Sequence, residues 1–382
     1  MKILNPSQIR QLDHYTIENE PISSLDLMER AALSFVEWFE NKYPVETDPL
    51  IKIVSGTGNN GGDGLAIARL LYQRFYRVEL FLCAISTNVS EDFSANLARL
   101  PKRNAIPNYT IEKDAILPDL NGDIIIDAIF GSGLNRPVVG YWAQVITQIN
   151  NSSATRISVD IPSGVFANQH TKSTAVEADE TFSFQLPKLA FLFPENFNKV
   201  KKWTIGDIKL AADGIDKSPT KDYYITAELT KKFLQTRSKF AHKGTHGHAL
   251  LIAGSYGKMG AAILAAKASL RAGCGLLSVH IPRCGYEIMQ IAFPEAMAQV
   301  DRHKRVFSRP PKLSNYQAIG VGPGLGTNKI TVEAMEELLD AAKVPLVIDA
   351  DGLNILSKHP QLLQKIPTNS ILTPHPKEFE RL

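Results

Sequence analysis

The sequence predicts an α/β protein of two domains, each a parallel sheet covered by helices on both faces. Three observations carry that prediction. Short apolar runs alternate with helical ones, as in IKIVSG, GLAIARLLYQRF and RVELFLCAI, the order of a βαβ unit. The strand-like runs are apolar almost without interruption, which marks strands buried on both faces. The chain has 382 residues, more than one hydrophobic core usually organises at roughly 100–200 residues per domain.

Taken in order, Leu25, Leu27, Met28, Ala31, Ala32, Phe35, Val36 and Phe39 recur at three- and four-residue spacing. They predict that the first thirty-odd residues form a helix with one buried face, ended by Pro44, Asp48 and Pro49. After the βαβ unit come two buried strands, DIIIDAIFG (Asp123–Gly131) and TRISVDIPSG (Thr155–Gly164), with a helix between Val138 and Ile149. A strand at Glu180–Phe184 and a polar segment to about Ala212 complete a first domain over 1–212. DGIDKSPTKDY (Asp213–Tyr223) is polar and aperiodic, and predicts a linker over 213–224. The second domain, 225–382, repeats the alternation: strand His248–Ser255, helix Ala261–Gly273, strand Gly275–Pro282, strand Tyr316–Gly324, helix 331–343, strand Pro345–Gly352 and strand Ser370–His375. KEFERL then opens a helix after Pro376. A βα unit stopping there lacks its next crossover strand, so the second domain reads as incomplete.

Composition narrows the function. Lys and Arg number 42 against 39 Asp and Glu, a net charge of +3 that offers no basic field to nucleic acid. Hydrophobic residues at 44% and charged residues at 21% exclude a disordered chain. Charged residues come too early for a signal peptide, and no apolar run nears the ~18–20 residues that span a bilayer. Three cysteines without a C-x-x-C pair exclude a disulfide framework and a cysteine-rich zinc site. A reduced cytoplasmic enzyme is expected, with no membrane and no nucleic-acid partner.

The chemistry gathers at strand ends. GTGNNGGDG (Gly56–Gly64) lies where a strand turns into a helix, and Gly56-x-Gly58-x-x-Gly61 matches the dinucleotide fingerprint. Its glycines are expected to take positive φ and admit a ligand to the helix start. Two features oppose a dehydrogenase: the second strand carries Glu79 at its beginning and no acid at its end, and Asp63, placed in the first turn, repels a pyrophosphate there. Asp127 ends one strand ahead of FGSGLNRP (Phe130–Pro137), and Asp160 ends the next in VDIPSGV with Ser163 and Gly164 behind it. Ligands of open α/β sheets sit at such carboxyl ends. In the second domain, His242, His246 and His248 lack carboxylates and cysteines nearby and do not make a metal site. Asp349 and Asp351 form either a carboxylate pair or two acids facing opposite ways.

GTGNNGGDG, DAIFGSGLNRP, VDIPSGV and QLPKLAF (Gln185–Phe191), in this order over about residues 1–212, resemble the NAD(P)H-hydrate epimerase family, the YjeF N-terminal domain. The resemblance implies a Rossmann-like three-layer αβα domain that interconverts the R and S epimers of NADHX and NADPHX, the cofactors hydrated at C6 of the nicotinamide ring. It sets the ligand against Asn59, Asn60, Gly61, Gly62 and Asp63, against Gly131, Ser132, Gly133, Leu134, Asn135, Arg136 and Pro137, and at Asp160. It also implies a potassium ion on Asn60, Asp127 and Ser163, oxygen donors that suit a hard cation. Inverting C6 needs a group that takes and returns a proton, a role for Asp160. Lys188 either offsets negative charge beside it or is an exposed lysine after a strand. Arg136 is a candidate for a phosphate.

KGTHGHALLIAGSYGKMGAAILAAKASLRAGCG, VGPGLG, VIDADGLNIL and LTPHPKEF resemble the ADP- or ATP-dependent NAD(P)H-hydrate dehydratases, of ribokinase-like α/β fold. This implies a hydrate site at Ala261, Gly324 and His375, a phosphate-binding loop at 257–262, and ADP or ATP with magnesium. The family's Gly-Thr-Gly-Asp motif, source of its catalytic aspartate, is absent, as is its nucleotide-contacting lysine strand, so a chain ending at Leu382 is expected to lack dehydratase turnover. A homo-oligomer is expected. The other reading of the whole is a non-catalytic dinucleotide-binding or scaffold module.

Overall fold

Two helices precede the first strand where one was expected. In the computed structural model, which describes residues 1–85, 89–101, 105–234 and 237–382, α1 spans Pro6–Asn19 and α2 spans Ser24–Lys42. Asn5 and Ser23 each accept an N–H from the third residue of their helix, at 2.9 and 3.0 Å, and each closes a capping box. Pro21 lies between them with no N–H to continue α1. The apolar period over 25–39 belongs to α2 alone.

The chain divides into two units, Met1–Leu234 and Gln235–Leu382. The first continues with β1 (Leu50–Ser55), α3 (Asn59–Gln73), β2 (Arg77–Cys83), α4 (Glu91–Arg99), β3 (Asn108–Ile111), β4 (Ile124–Ala128), α5 (Tyr141–Asn151), β5 (Thr155–Val159), β6 (Glu180–Phe184), β7 (Trp203–Gly206), α6 (Ala212–Lys217) and α7 (Ala227–Phe233). Its sheet runs β3-β2-β1-β4-β5-β6-β7, with each neighbouring pair parallel. Alternate residues face opposite layers. Ile51, Ile53, Ile124 and Ile126 pack under Phe35, Phe39 and Leu71 of α2 and α3, whereas Val54, Phe81 and Ile125 pack under Val145, Ile146 and Ile149 of α5. The strand order reverses between β1 and β4, which opens a crevice at their carboxyl ends. The sequence reading lacked β3 and β7. Both are short, partly exposed edge strands, without the apolar run that betrays a central one.

The segment expected to be a linker is built into this unit. Within it, α6 lays Gly214 against Leu12 and Tyr15 of α1, where a Cβ would meet both side chains. Lys2 donates to the carbonyls of Ile215, Asp216 and Ser218 at 3.0, 2.8 and 2.7 Å. Such backbone anchoring leaves no trace in hydropathy.

The second unit holds β8 (His248–Ile252), α8 (Met259–Arg271), β9 (Leu276–Ile281), α9 (Tyr286–Ala292), β10 (Met297–Val300), β11 (Ala318–Val321), α10 (Lys329–Ala341), β12 (Leu346–Ile348), α11 (Asp351–Lys358), β13 (Ile371–Leu372) and α12 (Pro376–Phe379). Its sheet is also parallel, in the order β10-β9-β8-β11-β12-β13. No helix among the described residues is long and apolar enough to cross a membrane.

The glycines of GTGNNGGDG depart from expectation: none has positive φ. They are there for packing. A Cβ on Gly56 would overlap the Ile129 carbonyl, one on Gly61 the Gly56 carbonyl, and one on Gly64 the Ala128 side chain, so α3 rests directly on β1 and β4. Gly58 alone of the set faces open space. Gly61→Ala is therefore expected to cost at least about 1–3 kcal/mol in urea unfolding, while Gly58→Ala stays within about 1 kcal/mol.

Candidate active site

Four consecutive strand ends of the first unit converge on one site. At the end of β4, Asp127 is completely buried. Its carboxylate accepts the Ser163 N–H at 2.8 Å, the Ser163 hydroxyl at 2.5 Å, the Ser158 hydroxyl at 2.8 Å and the Ile129 N–H at 3.3 Å. Ser163 Oγ in turn accepts the Phe130 N–H at 2.8 Å, which ties the turn after β4 to the turn after β5. Burial raises the Asp127 pKa, and the Ser163, Ser158 and Ile129 hydrogen bonds oppose the rise. Among the described residues no cation pairs with it. Asn60, on the first turn of α3, lies against Gly131, whose Cβ would stand 3.1 Å from the Asn60 Cβ. The Asn60 amide nitrogen is buried without a partner.

Asp160 follows β5 in the left-handed region, at φ +64°, where a non-glycine residue stores strain. The Phe184 N–H donates to its Oδ1 at 3.1 Å, and the Lys188 ammonium makes an ion pair with the same oxygen. Lys188 is 1% exposed, so of the two readings its sequence allowed, the exposed lysine falls away. Its Nζ also donates to the Ser183 hydroxyl at 2.8 Å and the Leu186 carbonyl at 3.4 Å.

Further carboxylates face this pair. Asp63 is not in the first turn of α3 but is its fifth residue, because the helix begins at Asn59 with Gly58 as an N-cap that makes no side-chain bond. Burial, then the charges of Asp160, Asp13 and Asp92, push the Asp63 carboxyl well above its ordinary pKa. Asp13, on α1, is pushed up to about 6, first by burial, then by Asp160, with Lys188 pulling the other way. The sequence reading did not single out Asp13. A signal was present: Ile9, Leu12 and Thr16 define the inward face of α1, and Asp13 stands beside it, four residues after Ile9.

The remaining predicted residues spread around this centre. Gly61 and Gly62 are buried under β1 and against Met28 of α2. Asn59, Gly133, Asn135, Arg136 and Pro137 are exposed, Ser132 is half-exposed, and Leu134 packs on the core beneath α5. Arg136 makes no hydrogen bond or ion pair among the described residues. The Arg10 guanidinium approaches Gly133 instead, 3.8 Å from where its Cβ would be.

In the second unit, Ala261 and Gly324 meet. Gly324, at φ +68°, would put a Cβ 3.0 Å from that of Ala261, and its carbonyl accepts the Ser255 hydroxyl at 2.6 Å. His375 follows β13, two strands from β11 in the sheet. It caps α12 through Glu378, whose carboxylate accepts its N–H at 3.0 Å, and makes no contact with that pair among the described residues. Asp349 and Asp351 are not a carboxylate pair. Asp349 accepts the Thr373 hydroxyl at 2.9 Å, while Asp351 accepts the Gly326 N–H at 2.8 Å and the Lys258 ammonium at 3.1 Å. No cluster of His, Cys, Asp or Glu suited to a metal occurs among the described residues.

The family described as "YjeF-related protein N-terminus" matches residues 24–190, and that described as "NAD(P)H-hydrate dehydratase" matches residues 249–382. The bifunctional NAD(P)H-hydrate repair enzyme Nnr of Moorella thermoacetica is 32% identical over 396 residues, spanning all of this chain and 75% of the relative. That of Thermofilum pendens is 30% identical over 400 residues, spanning all of this chain and 74% of the relative. The chain belongs to this family. Its first unit is the NAD(P)H-hydrate epimerase domain and its second the NAD(P)H-hydrate dehydratase domain. The crystal structure of the ADP/ATP-dependent NAD(P)H-hydrate dehydratase from Bacillus subtilis, co-crystallised with ATP/Mg2+, is 30% identical at a TM-score of 0.34, covering 41% of this chain and 54% of that one.

A lysine sealed from water depends on its anion. Removing Asp160 as Asp160→Leu is expected to cost about 3–5 kcal/mol in chemical denaturation. The double variant Asp160→Leu/Lys188→Met is expected to recover a large part of that loss, because it leaves no unpaired charge.

Proposed function

We propose that the epimerase domain inverts C6 of NADHX and NADPHX with Asp160 as a proton-transfer residue and Lys188 as the charge that holds it in place. The observation that carries this reading is the buried ion pair at a strand end, next to the Asn60–Asp127–Ser163 cluster and across from two further carboxyls. The C6 hydroxyl leaves as water when it gains a proton, the nitrogen lone pair of the ring supplies the electrons, and water returning to the other face surrenders a proton. Asp160 is anchored through Oδ1, which leaves Oδ2 for the substrate. The Lys188 ammonium, fixed by Ser183 and the Leu186 carbonyl, keeps the carboxylate from turning inward. Asn59, Asn60, Gly61, Gly62, Asp63 and the loop from Gly131 to Pro137 are the proposed binding wall, with Arg136 free to meet a phosphate.

A potassium ion fits the Asn60, Asp127 and Ser163 cluster. Asp127 is a buried carboxylate with no cationic partner among the described residues, and with the Ser163 hydroxyl and the Asn60 side-chain carbonyl the donor set is oxygen of carboxylate, hydroxyl and amide type. Bound there, the ion would balance the Asp127 charge. Asn60 would then be held toward Gly131, and Ser163 would keep the two turns in register.

For the dehydratase domain, the proposal is removal of water from the S epimer at the expense of ADP or ATP supplied with magnesium. The meeting of Ala261 with Gly324 supports it, with His375 reaching the hydrate from further along the same sheet edge. A cytoplasmic homo-oligomer is the proposed setting, and three free cysteines suit a reducing compartment.

The decisive assay starts from pure R-NADHX with potassium and no nucleotide. Faster approach to the R/S mixture than without enzyme is expected, and no acceleration would sink the reading in favour of a binding module. ADP or ATP is then added: recovery of NADH absorbance would support the dehydratase reading, and its absence would match the expectation drawn from the missing Gly-Thr-Gly-Asp motif. Asp160→Asn is expected to lower the epimerisation rate about 10²–10⁴-fold with ligand binding retained. Replacing potassium by a bulky organic cation is expected to lower the thermal midpoint of wild type but not of Asp127→Asn, a difference that scanning fluorimetry reads directly.

A further inference from the structure

We propose that Asp13 is the second proton-transfer residue of the epimerase site, carried to the Asp160–Lys188 pair by the N-terminal helix. The inference rests on the epimerase reading above and names a group that reading does not contain.

The placement of α1 is determined by packing. Leu4 and Leu12, with Ile9 and Ile17 at the margin, share one apolar cluster with Leu186, Leu27 and Ala31. Leu186 lies two residues before Lys188, and Phe184, which bonds Asp160, borders the same cluster. The Thr16 hydroxyl accepts the Ala211 N–H at 3.1 Å, and α6 closes on Leu12 and Tyr15 through Gly214. So α1 is pressed against the segment that bears the ion pair, with Asp13 at its edge and Arg10 one turn earlier, beside Gly133 of the binding loop.

The charged groups around Asp13 can be named element by element. The charges of Asp160 and Lys188, on the turns after β5 and β6, act on its carboxyl, and its own charge acts on Asp63 of α3. On α1 itself, His14 is occupied with Glu18. From α6, Asp213 is tied to Lys217 and Tyr15. From α2, Arg30 is tied to Glu20 and the Lys209 carbonyl. Asp13 has no hydrogen-bond or ion-pair partner among the described residues. Asp160 is engaged by an ammonium; Asp13 is the half-buried carboxyl left unengaged beside it.

Two neighbouring acids in unlike surroundings divide the acid and base roles. Burial and the Asp160 charge hold the Asp13 proton to about pH 6, so near neutrality it exchanges between both forms. As an acid it gives its proton to the C6 hydroxyl. The C6–O bond breaks, its electron pair leaves with the oxygen as water, and the ring nitrogen lone pair forms the N1=C6 iminium. Water then adds to the opposite face. Its oxygen lone pair forms the new C–O bond, the iminium pair returns to nitrogen, and the released proton passes to a carboxylate. No oxidant or further reactant enters.

The raised pKa also fixes a sign for stability. An acid whose folded pKa lies above its unfolded value near 3.8 binds its proton more tightly when folded. Its contribution is therefore favourable below that range and is lost as pH rises through about 6. Neutralising Asp13 removes this burden at pH 7.

The test is Asp13→Asn in the full chain, assayed for R/S epimerisation of NADHX from pH 5 to 8 beside wild type and Asp13→Glu. Expected are a 10²–10⁴-fold fall in kcat with KM changed less than threefold, loss of the pH-profile limb near 6, partial recovery in Asp13→Glu, and a thermal midpoint at pH 7 equal to or above that of wild type. A kcat within threefold of wild type overturns the proposal, as does a lower kcat with the wild-type pH profile and a depressed midpoint, which marks a packing role. Wild type that does not epimerise overturns the epimerase reading itself, a result distinct from an active wild type matched by its variant.

Discussion

A lysine ammonium cannot be sealed from water unless something replaces its hydration, and Lys188 is so sealed. Asp160, Ser183 and the Leu186 carbonyl provide that replacement, and the arrangement dictates its surroundings. Asp160 reaches the ammonium from a left-handed backbone, a conformation in which the turn after β5 stores strain. The Phe184 N–H that steadies the same carboxylate ties that turn to the end of β6. Buried ion pairs seldom raise net stability. What this one does is hold a carboxylate at a known orientation at the mouth of the sheet.

Asp127 solves the opposite problem. It too is an ion out of water, but its partners are hydroxyls and backbone N–H groups rather than a cation. Hydrogen bonds offset only part of the cost of burying it, and its pKa accordingly rises. The two aspartates end adjacent strands and differ in what compensates them. That contrast underlies the different roles proposed for them, one beside a small cation and one in proton transfer.

The fold was legible where the physics is local and apolar. The central strands β1, β4, β5, β8 and β11 are runs of branched residues, and the amphipathic period of α2 survives translation into structure. The edge strands β3, β7 and β10 were lost because half their surface is exposed, and the break between α1 and α2 was lost because it rests on two caps and a proline rather than on hydropathy. The GTGNNGGDG loop shows the converse: its glycines are needed not for positive φ but for the close approach of α3 to β1 and β4. For the site, acids at strand ends were visible because topology puts every parallel strand's carboxyl end on one side. Asp13 comes from a helix outside the sheet, whose placement follows from tertiary packing, with Leu12 and Leu186 in one apolar cluster. The burial of Lys188 was equally hidden, since nothing in QLPKLAF says which way its side chain turns.

The anchoring of the N-terminus has a consequence for synthesis. Lys2 is held by the carbonyls of Ile215, Asp216 and Ser218, and α1 is closed from behind by α6. Of the two helices α1 leaves the ribosome first, and it therefore waits for α6. At about 5–20 residues per second the delay is on the order of 10–40 s. During that interval the nascent sheet can form from β1 through β6 while α1 stays undocked, with the apolar face of Leu4 and Leu12 uncovered.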